Sequence, residues 1–364
     1  MTSSRMDDPT LWAVPSNADE LSKHIYEGKE LRECTLAGRD FRGAQIAGGL
    51  FHKVDFSNAQ LDGVDLREAN LVECNLGGAT LTGANLHQAV LGQSSLIGAS
   101  LRGAKLTGTK FCEVVGAGLD LRGADLRVAV FTKVKLDNAC FVEAKLDRCA
   151  FLECTFVGAN FHANRLIAVT LLDADLRETL IAEVVFERCT LIQAKLAGMT
   201  LAGMRFPFTQ FTDADLEGCD LSGADLRNCN FKGAKLSGAK LPNVNANNAL
   251  FVEADLRGAD LRGAQLSQAI FIDAILEQAN CSGATMYQAI LHRAKCQAAA
   301  FVTTNLTYAD FAQADIRAAD FSGAQMFRTN LHNVQDEDAL ILNRAVTLGT
   351  DPELAAAQNW RPKF

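Results

Sequence analysis

Eleven cysteines, six histidines and a recurring Asp-Leu-Arg triplet are the residues of this 364-residue chain with chemistry to offer. Thiolates and imidazoles at short spacing would bind zinc, and a Cys beside a His would serve as a nucleophile. Neither arrangement is present: no C-x-x-C occurs, and His24, His52, His87, His162, His292 and His332 are scattered singly. Asp and Arg two apart (Asp65/Arg67, Asp125/Arg127, Asp175/Arg177, Asp225/Arg227, Asp260/Arg262) read as solvated surface pairs, each contributing little. No nucleophile elbow, phosphate loop, H-E-x-x-H or EF-hand spacing appears. The expectation is a protein that is not an enzyme and takes no cofactor or metal.

What positions these residues is a period of five. From Leu31 to Leu331 every fifth residue is Leu, Phe, Ile or Met at 57 of 61 positions, the exceptions being Gly116, Ala246, Cys281 and Cys296. Two residues earlier the side chain is small, most often Ala. Cys34, Cys74, Cys149, Cys154, Cys189, Cys219 and Cys229 take that small position. These seven, with Cys281 and Cys296, are expected buried, reduced and inert. An α-helix would turn successive large residues through about 140° and smear them round every face. A short extended piece followed by a tight turn sends the small and large residues to one side, with Gly, Asn and Asp at the corners. Sorted by a period of 20, nine of the 18 Phe on large positions share one column: Phe51, Phe111, Phe131, Phe151, Phe211, Phe231, Phe251, Phe271 and Phe311. A period of 15 divides them 4, 7 and 7, so the four-sided coil is preferred to the three-sided one.

Units such as Ala259-Asp260-Leu261-Arg262-Gly263 match an A(D/N)LXX pattern, and residues 31–331 resemble pentapeptide-repeat proteins. The resemblance implies an all-β solenoid, a right-handed quadrilateral β-helix with short α-helical caps at both ends. About fifteen coils at roughly 4.8 Å would make a rod of about 72 Å. The expected organisation is a segment 1–30 with a capping helix, a repeat region 31–333 and a helical cap 334–364. The first helix would begin at Ser16 or Asn17, with Leu21 and Ile25 on one face. At the other end Asp336 to Leu342 reads as one short helix. A second starts at Thr350 or Asp351, has Pro352 in its first turn and runs to Gln358. Val114–Gly118 and Pro242–Asn248 depart from the pattern and are expected to be kinks or bulges.

Function is then expected on the outer columns. The face carrying the Phe column places Leu50, Val90, Val130, Leu250, Ile270 and Ile290 outward before each large residue. After it come Val72, Cys112, Leu152, Leu172, Ile192, Val252 and Ile272. The candidate protein-binding residues are Leu250, Val252, Ile270, Ile272 and Ile290, with Leu152, Leu172 and Ile192. A candidate acidic rim follows: Glu73, Glu113, Glu153, Asp173, Asp213, Glu253 and Asp273. Contiguous apolar surface marks an interface, whereas β-branched residues also simply favour extended strands. The expected function is a non-catalytic protein-binding scaffold or adaptor. The tail from Phe327 and again around Ala345 to Leu354 resembles pentapeptide-repeat proteins of type VI secretion loci, which implies an effector or spike component as partner. Other members mimic DNA and bind DNA gyrase, the alternative reading. Mimicry needs sustained anionic charge, but Lys135, Thr155, Asp175, Lys195, Asp215, Lys235 and Asp255 alternate in sign and the net charge is −8. No direct nucleic-acid or membrane partner is expected. The start has no signal-peptide core, which makes the bacterial cytoplasm the default location. A homodimer through the C-terminal helices is a further implication of the resemblance.

Overall fold

A computed structural model describes residues 14–360. The chain divides into two compact units, residues 1–186 and 187–364.

The first unit opens with helix α1 (Ala18–Tyr26), N-capped by Asn17, whose side chain accepts from Glu20 N–H. Leu21 is fully buried, and Ser22 Oγ accepts from the Gln45 backbone N–H at 2.9 Å, so the helix tops the first coil. Short strands then recur at a spacing of 20: β1 (Leu31–Arg32), β2 (Leu50–His52), β3 (Asn70–Val72), β4 (Val90–Gly92), β5 (Lys110–Cys112), β6 (Val130–Thr132) and β7 (Ala150–Leu152). A further short strand, β8 (Arg165–Ile167), lies outside this series, and β9 (Thr170–Leu172) completes an eight-stranded parallel sheet, β1 to β7 then β9. Its register sets Leu31 beside Phe51, Phe51 beside Leu71 and Phe131 beside Phe151. The other three sides carry single parallel bridges with the same offset, such as Thr35–Asp55, Asp40–Gln60 and Gln45–Asp65. This is a parallel β-solenoid with four sides.

Each corner is a four-residue turn. In one, Ala44 N–H donates to Phe41 O at 3.0 Å and Gly43 takes φ 72°. Inside, Phe111 and Phe131 stack at 4.5 Å and 4°, and Phe131 and Phe151 at 4.7 Å and 15°. Strand spacing imposes this face-to-face stacking, although isolated aromatic pairs prefer an offset. Small positions that hold a polar atom follow one rule. Thr109 Oγ1 donates to Leu86 O at 2.7 Å and Cys149 Sγ to Leu126 O at 2.8 Å, each 23 residues back. Cys and Thr are therefore interchangeable with Ala there, because the buried donor is satisfied.

The second unit repeats this geometry through bridges such as Leu250–Ile270 and Ile270–Ile290. Phe211, Phe231, Phe251 and Phe271 stack at 4.8–5.0 Å.

Several expectations are corrected. Val114–Gly118 and Pro242–Asn248 are regular, with bridges Val115–Lys135 and Asn245–Gln265. Gly116 on a large position is offset by Leu119 on the next small one, whose Cδ2 fills the space a Cβ would approach at 3.4 Å. Ala246 is paired in the same way with fully buried Val244. Pro242 sits two residues after Lys240, where no Asp or Asn asks for its missing N–H. The real irregularity lies elsewhere. Gly158 N–H reaches Glu178 O, 20 residues on instead of the 19 that separate Gly38 from Ser57. A cavity of about 10 Å³ there is lined by Phe151, Phe161, Leu166, Leu171, Ile181 and Phe186, among others. Both Phe columns shrink at this point, Phe151 giving way to Leu171 and Phe161 to Ile181.

Asp336–Leu342 is not a helix. Bridges Asp315–Gln335 and Asp320–Leu340 and the turn bond from Ala339 N–H to Asp336 O carry the coil past the expected boundary at 333. The chain then takes a shortcut, pairing Asn330 with Leu348, 18 residues apart. It ends in helix α2 (Pro352–Asn359), capped by the Asp351 carboxylate.

Phe131→Ala should destabilise the protein by about 3–5 kcal/mol in urea denaturation, since it removes the ring between Phe111 and Phe151. A loss below about 1 kcal/mol would show that the ladder is not close-packed.

Candidate functional site

The outward residue of each repeat explains the Asp/Asn of the motif. Asp65 Oδ1 accepts the backbone N–H of Arg67 at 3.2 Å, closing the turn, and the guanidinium folds back onto the same carboxylate with Nη2–Oδ2 2.6 Å. Equivalent forks form at Asp120/Arg122, Asp125/Arg127, Asp225/Arg227, Asp255/Arg257, Asp260/Arg262 and Asp315/Arg317. Asn75 and Asn280 close their turns in the same way. These are turn clamps with bidentate geometry, more than the loose solvated pairs expected from spacing.

The face over the Phe ladder brings its predicted residues into columns. In the first unit Leu50 and Leu172 are exposed, at 49% and 37%, and Val72 and Leu152 are half-buried. In the second unit Ile192, Leu250, Val252, Ile270, Ile272 and Ile290 are all half-buried, because each is covered by its neighbours one coil away. The acidic rim residues sit at left-handed corners, with φ from 52° to 58°. The rim is less anionic than expected. Lys53 lies 3.8–3.9 Å from Glu33 and Glu73, Lys133 lies 4.0 Å from Glu153, and Arg293 grips Asp273 through two bonds of 2.7 Å.

The corners distinguish this face from the others. Its own corners carry side chains in the left-handed region: Glu73, Gln93, Glu113 and Lys133 on one edge of the first unit. In the second unit Asn228, Asn248, Gln268 and Gln288 hold one edge and Asp213, Glu253, Asp273 and Arg293 the other. The remaining corners are mostly glycine, as at Gly63, Gly83, Gly103 and Gly123, or Gly198, Gly218, Gly238 and Gly258. A non-glycine residue in that conformation is strained by about 1 kcal/mol.

One group was missed. Tyr287, Tyr308 and Phe327 are exposed and touch edge-to-face at 5.9 and 5.8 Å. The available signal was that Phe327 lies off the inward register that holds most other Phe. Among the described residues, no group of His, Cys, Asp and Glu could hold a metal ion, and no helix is long and apolar enough to cross a membrane.

Eight copies of the pentapeptide-repeat family model match residues 30–71, 50–88, 74–112, 117–148, 209–245, 243–273, 264–295 and 294–333. This chain belongs to the pentapeptide-repeat family. The matched copies leave out residues 149–208, the stretch that contains the irregular coils. Among solved structures it is similar to trypsin-treated QnrB1, a plasmid-mediated fluoroquinolone resistance protein, at 20% identity. That match covers 65% of this chain and 91% of the other, with a TM-score of 0.32. It is also similar to HetL, a pentapeptide repeat protein involved in heterocyst differentiation regulation from the cyanobacterium Nostoc, at 26% identity. Here 76% and 96% of the chains are covered, with a TM-score of 0.20. No curated protein matches.

In this pentapeptide-repeat protein eight cysteines are buried, Cys112 is exposed, and Cys34 and Cys140 are half-buried. Cys34 escapes the expected burial because it lies in the first coil. Burial pushes the thiols of Cys149 and Cys281 up to about 12 and those of Cys74, Cys154 and Cys219 up to about 11. Iodoacetamide under native conditions should therefore label Cys112 first and leave the eight buried thiols unmodified in peptide mass spectra. The clamped carboxylates behave oppositely. Hydrogen bonds from Arg hold Asp65, Asp125, Asp260 and Asp315 below their ordinary value. Their contribution is complete above the unfolded carboxylate value of ~4 and disappears as pH falls through the lower folded value. Urea stability should be level from pH 7 to about 5 and decline below about 4.

Proposed function

We propose that this chain is a non-catalytic protein-binding scaffold that receives its partner on the Phe-ladder face, around Leu250, Val252, Ile270, Ile272 and Ile290. The concentration of side-chain-bearing left-handed corners along the edges of this face supports the reading. Strand propensity explains aliphatic residues on any side, but gives no reason to bear backbone strain along two chosen edges. Strain kept at chosen positions is a mark of function. The half-buried aliphatic floor and its polar edges resemble an interface core and rim.

An effector-loading role in type VI secretion would be a narrower form of this function, and the tail residues alone support it. Self-association through the C-terminal helix is a separate reading, supported by exposed Leu354, Leu342 and Trp360. Duplex mimicry is disfavoured, because the Asp–Arg forks neutralise carboxylates in place.

The test is affinity capture from the native source with wild type, an Ile270→Asp/Ile272→Asp pair and a Ser282→Asp control on the opposite side. Partner recovery should fall about tenfold for the pair only. Equal recovery from all three, with unchanged circular dichroism, would remove this face from consideration.

A further inference from the structure

The last coil and helix α2 meet at a buried histidine that the repeat does not require. His332 is 4% exposed. Its Nε2 lies 3.0 Å from Gln358 Oε1, and Asp351 backbone N–H points at Nδ1 at 3.2 Å. The proton's position follows from the partners. Gln358 Oε1 also receives Asn333 Nδ2 at 3.0 Å, so this oxygen is the acceptor and Nε2 must carry the hydrogen. Nδ1 is then the acceptor for Asp351 N–H. Both ring nitrogens are satisfied only in the neutral ring.

We infer that His332 is an acid-sensitive latch: its neutral ring holds helix α2 on the last coil, and protonation at Nδ1 releases the helix. A proton on Nδ1 would set N–H against N–H at the first turn of α2, at a ring that is almost wholly buried. The neighbouring acidic groups are already engaged. On α2, Asp351 Oδ1 accepts Glu353 and Leu354 N–H at 2.9 and 3.1 Å, which turns that carboxylate into its own helix. Glu353 is exposed. On the preceding coil, Asp310 accepts Asn330 Nδ2 at 2.9 Å and lies 2.6 Å from His292 Nε2. Beside the ring itself, the bond from Asn333 N–H to Thr350 Oγ1 and the amide pair Asn333–Gln358 tie the segment down. Docking is thus complete while the ring is neutral and is lost as acid charges it, within the range where histidine changes charge.

Full-length protein labelled with ¹⁵N-histidine would be followed from pH 8 to pH 5, alongside hydrogen exchange of Leu354 and Ala355 corrected for intrinsic rates. At pH 8 the His332 ring should report the Nε2–H tautomer. As it gains its second proton, protection in α2 should fall about tenfold or more, while Asn330 and Gln313 stay protected. In His332→Gln, α2 protection should no longer change over this range. Three outcomes overturn the inference: an Nδ1–H tautomer at pH 8, a ring that stays neutral to pH 5, or a doubly protonated ring with α2 still protected, for instance by re-pairing with the Asp351 carboxylate. The wild-type spectra decide even if the variant misfolds.

Discussion

Parallel stacking of backbone at strand spacing, 20 residues per coil, is the constraint on which the rest depends. N–H groups of one coil donate to carbonyls 19 residues on, as from Phe41 to Gln60, and receive the complementary bond 21 back, as from Asp65 to Ala44. Once that ladder is in place, residue i lies over residue i+20 and the core can only be built column by column. A Phe column must stack face to face. A thiol or hydroxyl on a small position must find the same carbonyl in every coil. A column that changes residue type, as at Leu171 and Ile181, leaves a void.

The same constraint separates structure from function on the surface. Asp or Asn before the large residue closes the turn through the N–H two residues on, an N–H that the coil-to-coil ladder leaves unused. Local turn chemistry therefore accounts for the Asp–Arg forks, and no catalytic pairing is needed to explain them. The crowded corners beside the Phe face are different, because glycine would relieve their strain. Their concentration along one side is what points outward, toward a partner.

Solenoid ends cannot follow the interior rule, since one neighbour is missing. At the start, a serine on α1 supplies the acceptor for Gln45 that a preceding coil would have provided. At the finish, the chain shortens its last circuit by two residues and lays Leu348 and Thr350 against donors of the final coil. His332, Asn333 and Gln358 then complete the junction with α2. These solutions are made of individual side chains instead of a repeat, which makes the ends the natural place for condition-dependent behaviour.

The amino-acid order alone determined the period, the inward and outward positions, the Phe column and the helix caps at Asn17 and Asp351. All of these are local or strictly periodic properties that recur at fixed offsets. Only the tertiary structure decided how exceptions are absorbed: Leu119 filling for Gly116, the regular coil at Pro242, the shift at Gly158 and the continuation through Leu340. Each depends on what lies one coil away in space, a neighbour whose compensating side chain no single repeat reveals. The half-buried state of Ile270 and Ile272, and the cations threaded through the acidic rim, were hidden for the same reason. Exposure and pairing are set across coils, whereas spacing along the chain reports only which way a side chain starts out.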